Sequence, residues 1–530
     1  MESSKWVATV ASIWIQLSIG ASYAFGVYSP VLKSSQGYDQ STLDSVAVFK
    51  DIGANFGLLS GLLYTAVVSS HAVPHSSSFS RWIKRVGGPW VVITAGAIQC
   101  FTGYFFMWLA VTGIIPRPPV PLMCLFMFLA AHAQTFSNTA NVVTAVQNFP
   151  DYSGTIVGII KGFLGLSGAI LIQVYQTIFQ DKPSSFILML ALLPTIVPLL
   201  LMSFVKIKPT RGTDEKKHLN GFSVIALLIA AYLMVLIISE NVVTFGLSTR
   251  IITLIVLLLG LASPVGIAIR AHLKDSQKFS PPSSSHAETP LLNDHEDQVE
   301  VLEKINDHPP LLYRNADDQE SSLISTQNDE HKMKNPLEPE LNLLEAMQTI
   351  DFWLLFLAMA CGLGSGMATV NNIGQIGGSL GYTSVETRTL VSLWSIWNFL
   401  GRFGAGFVSD YFLHLRGWAR PIFMAITLAS MSIGHLVIAS GLPGALYAGS
   451  TLVGVFYGSQ WSLFPTITSE IFGVTHLGTI FNTVALASPV GSYILSVRVV
   501  GYIYDREALS DSGNTCIGLE GFMNKLYLEG

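Results

Sequence analysis

Charge is scarce in this sequence. Of its 530 residues only 12% are charged while 50% are hydrophobic, and the mean hydropathy is +0.50. Soluble domains carry about a quarter charged residues, so an ordinary water-soluble protein is excluded. Cysteine is scarcer still: Cys100, Cys124, Cys361 and Cys516 are scattered, three of them within apolar runs. Neither a disulfide framework nor a Cys/His metal site has that spacing. There is no Gly-x-Ser-x-Gly elbow, no kinase signature and no phosphate loop. An enzyme is therefore not expected, and neither is a cofactor, a metal or a nucleic-acid partner. Period-two alternation is also missing, which excludes a membrane β-barrel. No cleavable leader is evident, because the first apolar run, Trp6 to about Leu32, is too long for a signal segment.

What is present is a series of apolar runs, each near the roughly 20 residues that a spanning helix needs. About thirteen can be read: Trp6–Leu32, Val46–Val68, Trp90–Ile114, Pro121–Val143, Thr155–Ile178, Phe186–Val205, Phe222–Ile238 and Ile251–Ile269, then Phe352–Ile376, Thr389–Phe412, Pro421–Ala439, Ala445–Phe464 and Thr479–Tyr504. The fold class expected is all-α and polytopic, with the lipid bilayer as the first partner. Acid is concentrated between His272 and Gln348, with 16 Asp/Glu against 6 Lys/Arg, while the whole chain carries −5. Short-loop basic residues number fourteen on the side of Lys5 and six on the other. Positive charge favours the cytosolic side, so the N-terminus and the acidic segment are expected in the cytosol.

The grouping predicts an N-terminal six-helix half over residues 1–215, two additional helices over 216–271 and an acidic, disordered linker over 272–348. A five-helix C-terminal half over 349–504 and an extracytoplasmic tail over 505–530 complete it. Two six-helix halves around a midplane site are a common transporter plan. Local motifs sharpen this: Gly20-Ala-Ser-Tyr-Ala-Phe-Gly-Val-Tyr28, Phe49-Lys-Asp-Ile-Gly-Ala-Asn-Phe-Gly-Leu-Leu-Ser-Gly61, Asn148-Phe-Pro150, Gly158-Ile-Ile-Lys-Gly-Phe-Leu-Gly-Leu-Ser-Gly-Ala169 and Asn372-Ile-Gly-Gln-Ile-Gly377. Together they resemble the plant nodulin-like branch of the major facilitator superfamily, with a C-terminal half of the nuclear-fusion-defective type. A weaker similarity runs to oxalate/formate and monocarboxylate carriers. The resemblance implies a major facilitator fold with two extra helices, and no settled substrate. Relatives usually have a fourteenth helix, whereas the residues after Tyr504 hold too few apolar side chains to span. A truncated form or a working five-helix half are both open on that reading.

Ionisable groups inside apolar runs cost about 3 kcal/mol or more each, so they mark candidate function. Lys161 and Arg402 are the candidate contacts for an anionic group, each with a structural ion pair as the alternative. Gln16, Tyr23, Tyr28, Asn371, Asn372, Gln375 and Asn398 are candidate cavity polar groups, with interhelical hydrogen bonding as the alternative. Lys50 and Asp51 are neighbours expected to point apart and not to pair. Gly401-Arg-Phe-Gly-Ala-Gly-Phe-Val-Ser-Asp410, with Arg416 and Arg420 beyond, looks like the major facilitator loop signature. Asp410 and Arg416 are accordingly candidate gate residues, with a helix N-terminus or Arg416 meeting the carboxylate. Arg498 is read as structural, and His132 and His435 as packing residues. The glycines at spacing four, Gly53/Gly57/Gly61 and Gly154/Gly158/Gly162, permit close helix approach, either for static packing or for sliding. In the linker, Asp307, Leu311 and Leu312 fit an acidic dileucine sorting signal.

Two functions stand at this level. One is secondary transport of a small solute, an organic anion on the charge pattern, with proton coupling as one option and a vacuolar or plasma membrane as the location. The other is a non-transporting sensor or scaffold on the same fold.

Overall fold

A computed structural model of the protein describes residues 4–68, 87–179, 182–208, 214–243, 245–279, 340–495 and 499. Met1–Leu273 and Pro339–Gly530 form one compact unit, and only this unit is considered below. Among the described residues there is no strand. Each of the apolar runs read above lies on helix, the last of them described to residue 495.

The first run is not one helix. It folds as α1 (Lys5–Ser18), a 3-10 turn over Ala21–Ala24 and α2 (Phe25–Gln36). Gly20 sits at the break, where a Cβ would overlap the Ser167 side chain. The second run is likewise α3 (Gln40–Asn55) and α4 (Leu58–Val68), interrupted at Phe56–Gly57. Asp39 caps α3 by accepting from the Thr42 backbone N–H at 2.8 Å, and the Thr42 hydrogen bonds hold its carboxyl below the usual range. The N-terminal half continues with α5 (Pro89–Val111), α6 (Val120–Asn148), α7 (Ser153–Ile178) and α8 (Pro183–Leu201). The additional helices are α9 (Glu215–Val242) and α10 (Leu247–Phe279).

A short helix, α11 (Leu343–Met347), follows the acidic segment. It forms inside the stretch expected to be disordered, because Asn342 and Glu345 make a reciprocal capping box. The preceding Leu341 N–H donates to Phe472 O at 3.0 Å. The C-terminal half comprises α12 (Ile350–Ser379), α13 (Ser384–Arg416), α14 (Arg420–Ala439), α15 (Ala445–Phe472), α16 (Leu477–Ala485) and α17 (Ala487–Ser492). Gly417 ends α13 in the left-handed conformation, φ 67°. That turn brings Arg420 back beside the end of α13.

Nine helical stretches among the described residues are long and apolar enough to cross a membrane. The protein is a multi-pass integral membrane protein. α13 and α15 are not among the nine, since their buried faces carry Asn398, Arg402, Asp410, Gln460 and several hydroxyls. Such polarity is tolerable where a helix faces protein and not lipid. α7 is central, with 94% of its apolar stretch buried, whereas α10 is peripheral at 22%. The halves meet along α7 and α13 and along α4 and α16.

Candidate functional site

Three of the helix breaks border one cavity. Ser22, Phe25 and Gly26 beside the first, Asn55 beside the second and Ser488 beside the α16–α17 junction all line a central cavity of about 310 Å³. Discontinuous helices commonly build midplane sites because the break frees backbone polar groups. Facing them, α13 presents Trp394 and Arg402, eight residues apart on one helical stripe; Asn398, expected to line the cavity, is buried behind that wall. α15 adds Tyr457 and Trp461, four residues apart, and α6 adds Gln134 and Asn138 at the same spacing.

Lys161 lines this cavity and is only 2% exposed. Its Nζ lies 5.1 Å from the Trp461 ring centre and 4.8 Å from that of Phe481. Among the described residues no carboxylate lies within ion-pair distance of it. Cation–π contacts contribute roughly 0.5–2 kcal/mol, less than the roughly 3 kcal/mol or more that a buried charge costs in a membrane. Arg402 is held more firmly. Its Nε donates to Asn398 Oδ1 at 2.8 Å and its Nη1 to the Lys161 carbonyl at 2.9 Å. Lys50, Lys161 and Arg402 against Asp51 leave the described lining at net +2.

Asn371 also lines the cavity. Other expected polar groups lie elsewhere. Gln16 is one layer back, donating to Asn138 at 3.3 Å, and Asn372 donates to its own helix at Ala368 O, 2.7 Å. Tyr28 is fully buried in a separate core with Tyr104 and Phe186, not on a polar path. The side chains of Tyr23 and Gln375, together with Arg498, Asp307, Leu311 and Leu312, lie outside the described residues. Lys50 and Asp51 do pair, with Nζ 3.0 Å from Oδ1. The long lysine side chain folds along the helix surface, which the separation of neighbouring Cα–Cβ directions does not prevent. His132 hydrogen-bonds Gln99 at 2.8 Å and sits among Phe56, Phe128 and Phe136. His435 lies near Thr369 Oγ1, at 3.4 Å. Sequence reasoning missed Trp394, Tyr457, Trp461, Gln134 and Asn138; the i, i+4 spacing of Tyr457 with Trp461 and of Gln134 with Asn138 was the available signal.

One side of the cavity is closed. Asp410, 3% exposed, accepts from the backbone N–H of Gly154 at 3.1 Å and of Thr155 at 2.5 Å, at the start of α7 in the other half. Arg420 Nη2 adds an ion pair at 2.5 Å, and Arg420 also pairs with Glu470. An anion at a helix N-terminus is favoured by the unpaired N–H groups and the dipole. Arg416 is not the partner of Asp410 here; its guanidinium lies over the Phe412 and Trp418 rings. Below this clamp the helices nearly touch. A Cβ on Gly154 would lie 2.7 Å from Gly406 O, and one on Gly158 would lie 2.9 Å from Arg402 O. On the second seam, Asn482 Nδ2 donates to Thr139 Oγ1 at 2.8 Å, and a Cβ on Gly61 would meet the Gly478 backbone at 2.5 Å.

Known families account for both halves. The nodulin-like family model matches residues 5–269, half of the chain, and the model for the NFD4 C-terminal domain matches 339–530. The chain belongs to the nodulin-like family. The Arabidopsis thaliana protein NUCLEAR FUSION DEFECTIVE 4 is 27% identical over 524 residues, covering 96% of this chain and 81% of that one. Probable transporter MCH1 of Candida glabrata is 23% identical over 34% of this chain and 39% of its own length. Among solved structures, the major facilitator proton:xylose symporter XylE is similar with a TM-score of 0.52 at 12% identity, covering 99% of this chain and 93% of that one. That similarity concerns the fold, so this nodulin-like protein has the major facilitator fold.

Proposed function

We propose that the protein is a secondary active transporter of a small organic anion, worked by alternating access of its two halves. The observation that carries this is Lys161, buried in the central cavity with aromatic rings and not a carboxylate beside its ammonium. With Arg402 on the same wall, the net +2 lining attracts an anion and repels a cation. The name of the MCH1 relatives, probable transporter, and the fold itself support transport. The basic short loops support a cytosolic N-terminus and a cytosolic Asp410 clamp; on that orientation the clamp closes the cytosolic end.

Purified protein in proteoliposomes, offered a panel of labelled organic anions, tests this. The expectation is uptake of at least one anion, with Lys161→Ala lowering uptake at subsaturating concentration at least tenfold, as loss of roughly 1.4 kcal/mol requires. Uptake unchanged by Lys161→Ala removes the lysine from the site. Absence of flux for every anion favours the sensor or scaffold reading.

A further inference from the structure

Lys50 and Asp51 line the cavity and pair with each other, with Nζ 3.0 Å from Oδ1. Both stand on α3, so the pair travels whole with the N-terminal half. It cannot gate as the Asp410 clamp does, which reaches from one half to the other. The Lys50 ammonium also lies 5.1 Å from the ring centre of Phe25, at the start of α2. Asp51 is the one carboxylate among the described lining residues. It is spent on Lys50, whereas Lys161 has aromatic rings beside it and no carboxylate within ion-pair distance among the described residues.

The two lysines differ in depth. Lys161 stands within the α7–α13 seam: a Cβ on Gly158 would lie 2.9 Å from Arg402 O, and one on Gly162 would lie 3.0 Å from the Phe399 ring. Lys50 is seven residues from Gly57, which meets Asn482 on the second seam, and at helical rise that is roughly 10 Å. Exposure follows the same order. Lys161 is 2% exposed, whereas the side chains of Lys50 and Asp51 are 15% and 35% exposed. An anion entering from the accessible side therefore meets Lys50 before Lys161. Coulomb attraction weakens with distance and with a counter-charge alongside, so a neutralised outer lysine and an uncompensated inner one draw the anion toward the floor.

We infer that Asp51 is a positioning residue: by neutralising Lys50 it sends an entering anion past the outer lysine and on to Lys161. The inference rests on the transport reading above and adds how that site is loaded. Neighbours on one helix suit the task, because each keeps the other's charge balanced whatever the tilt of the half that carries them. Without the carboxylate, Lys50 becomes a second anion site, short of the floor. A pair that served only to hold α3 in place would lose transport in the same direction from either member.

Uptake kinetics in the same proteoliposomes test this, with labelled acetate, lactate, malate and benzoate offered singly and the fastest of the four carried forward. Asp51→Asn should hold the anion at Lys50, where it is bound without being carried. Such non-productive binding lowers KM and Vmax together, so both should fall about threefold to fivefold, the strength of an exposed ion pair. Their ratio should stay nearly constant. Lys50→Gln leaves a bare carboxylate in the anion's way, so KM should rise, by about threefold to fivefold on the same scale. Because the two residues act as a unit, the Lys50→Gln/Asp51→Asn double variant should bring KM and Vmax back toward the parent values. KM shifts of the same sign in the two single variants, or a double variant no better than Asp51→Asn, overturn this inference and leave anion transport standing. Should one single variant not fold, the sign of the KM shift in the other decides. Absence of uptake of all four anions by the parent removes the transport reading and this inference with it.

Discussion

Gly406→Val is expected to abolish closure at the Asp410 end and to reduce transport at least a hundredfold, while leaving each helical half folded. The Gly406 Cα faces the Gly154 carbonyl and Gly158 Cα across the α7–α13 seam, so a Cβ there would run into backbone. Backbone on two buried helices cannot retreat as a flexible side chain does, so relief comes only by separating the halves. Separation also removes the Asp410 bonds to Gly154 and Thr155. The measurement is labelling of a cysteine at Ser409 by a membrane-impermeant thiol reagent. Slow labelling is expected in the parent and fast labelling in the valine variant. Equal rates in the two would show that the seam tolerates the wedge. Gly404→Val is the control, because a Cβ at Gly404 meets nothing within 4 Å.

Asp410→Asn acts on the same end by charge and not by bulk. The carboxylate serves two backbone N–H groups of α7 and the Arg420 guanidinium. The Arg420 pair joins two helices of the same half, so parting of the halves breaks only the bonds from α7. Hydrogen bonds to a charged group contribute about 1.5–3 kcal/mol, and about 2 kcal/mol taken from the closed form alone shifts the closed-to-open ratio roughly thirtyfold. The same labelling assay should therefore show faster modification, with uptake reduced because closure becomes rare. Arg416→Ala should change neither by more than about twofold, as its exposed guanidinium lies over the half-buried Phe412 and exposed Trp418 rings and such contacts contribute little. A large Arg416→Ala effect with a small Asp410→Asn effect would reverse the assignment of the clamp.

Much of this is legible in the amino-acid sequence. Lys161, Arg402 and Asp410 stand out because a charge within an apolar run needs a reason, and each lies at the cavity or the closed end. The fold class followed from run length alone. Other features depended on tertiary geometry. The partner of Asp410 is Arg420 and not Arg416 because the left-handed turn at Gly417 reverses the chain. Gln16 is hidden behind Asn138, and helical spacing cannot tell the first layer of a cavity from the second. Tryptophan is ambiguous in a membrane sequence, suiting lipid interface, core and site alike, so Trp394 carried no distinctive mark. The breaks in the first two runs escaped notice because hydropathy is continuous across Gly20 and Gly57, while the cause lies in Ser167 and Asn482 on neighbouring helices.

The two added helices make their polar and aromatic ties to the N-terminal half, although α9 also packs along α13. Lys5 pairs with Glu215, Trp6 packs on His218 and Phe222, the Trp14 indole N–H donates to Leu261 O at 3.1 Å, and Gln173 donates to Glu240 at 2.7 Å. Every one of these ties joins α9 or α10 to the N-terminal half. If the halves rock, that body is the broader one in the plane of the bilayer and meets the greater viscous drag. The larger tilt then falls to the narrower C-terminal body, whose α14 turns Ile422, Ile426 and Ile433 outward. Tilting an apolar face changes how well its length matches the hydrocarbon around it, at fractions of a kcal/mol per ångström. Bilayer thickness thus becomes a variable in the conformational balance, and lipids of different chain length should set different transport rates for the same protein.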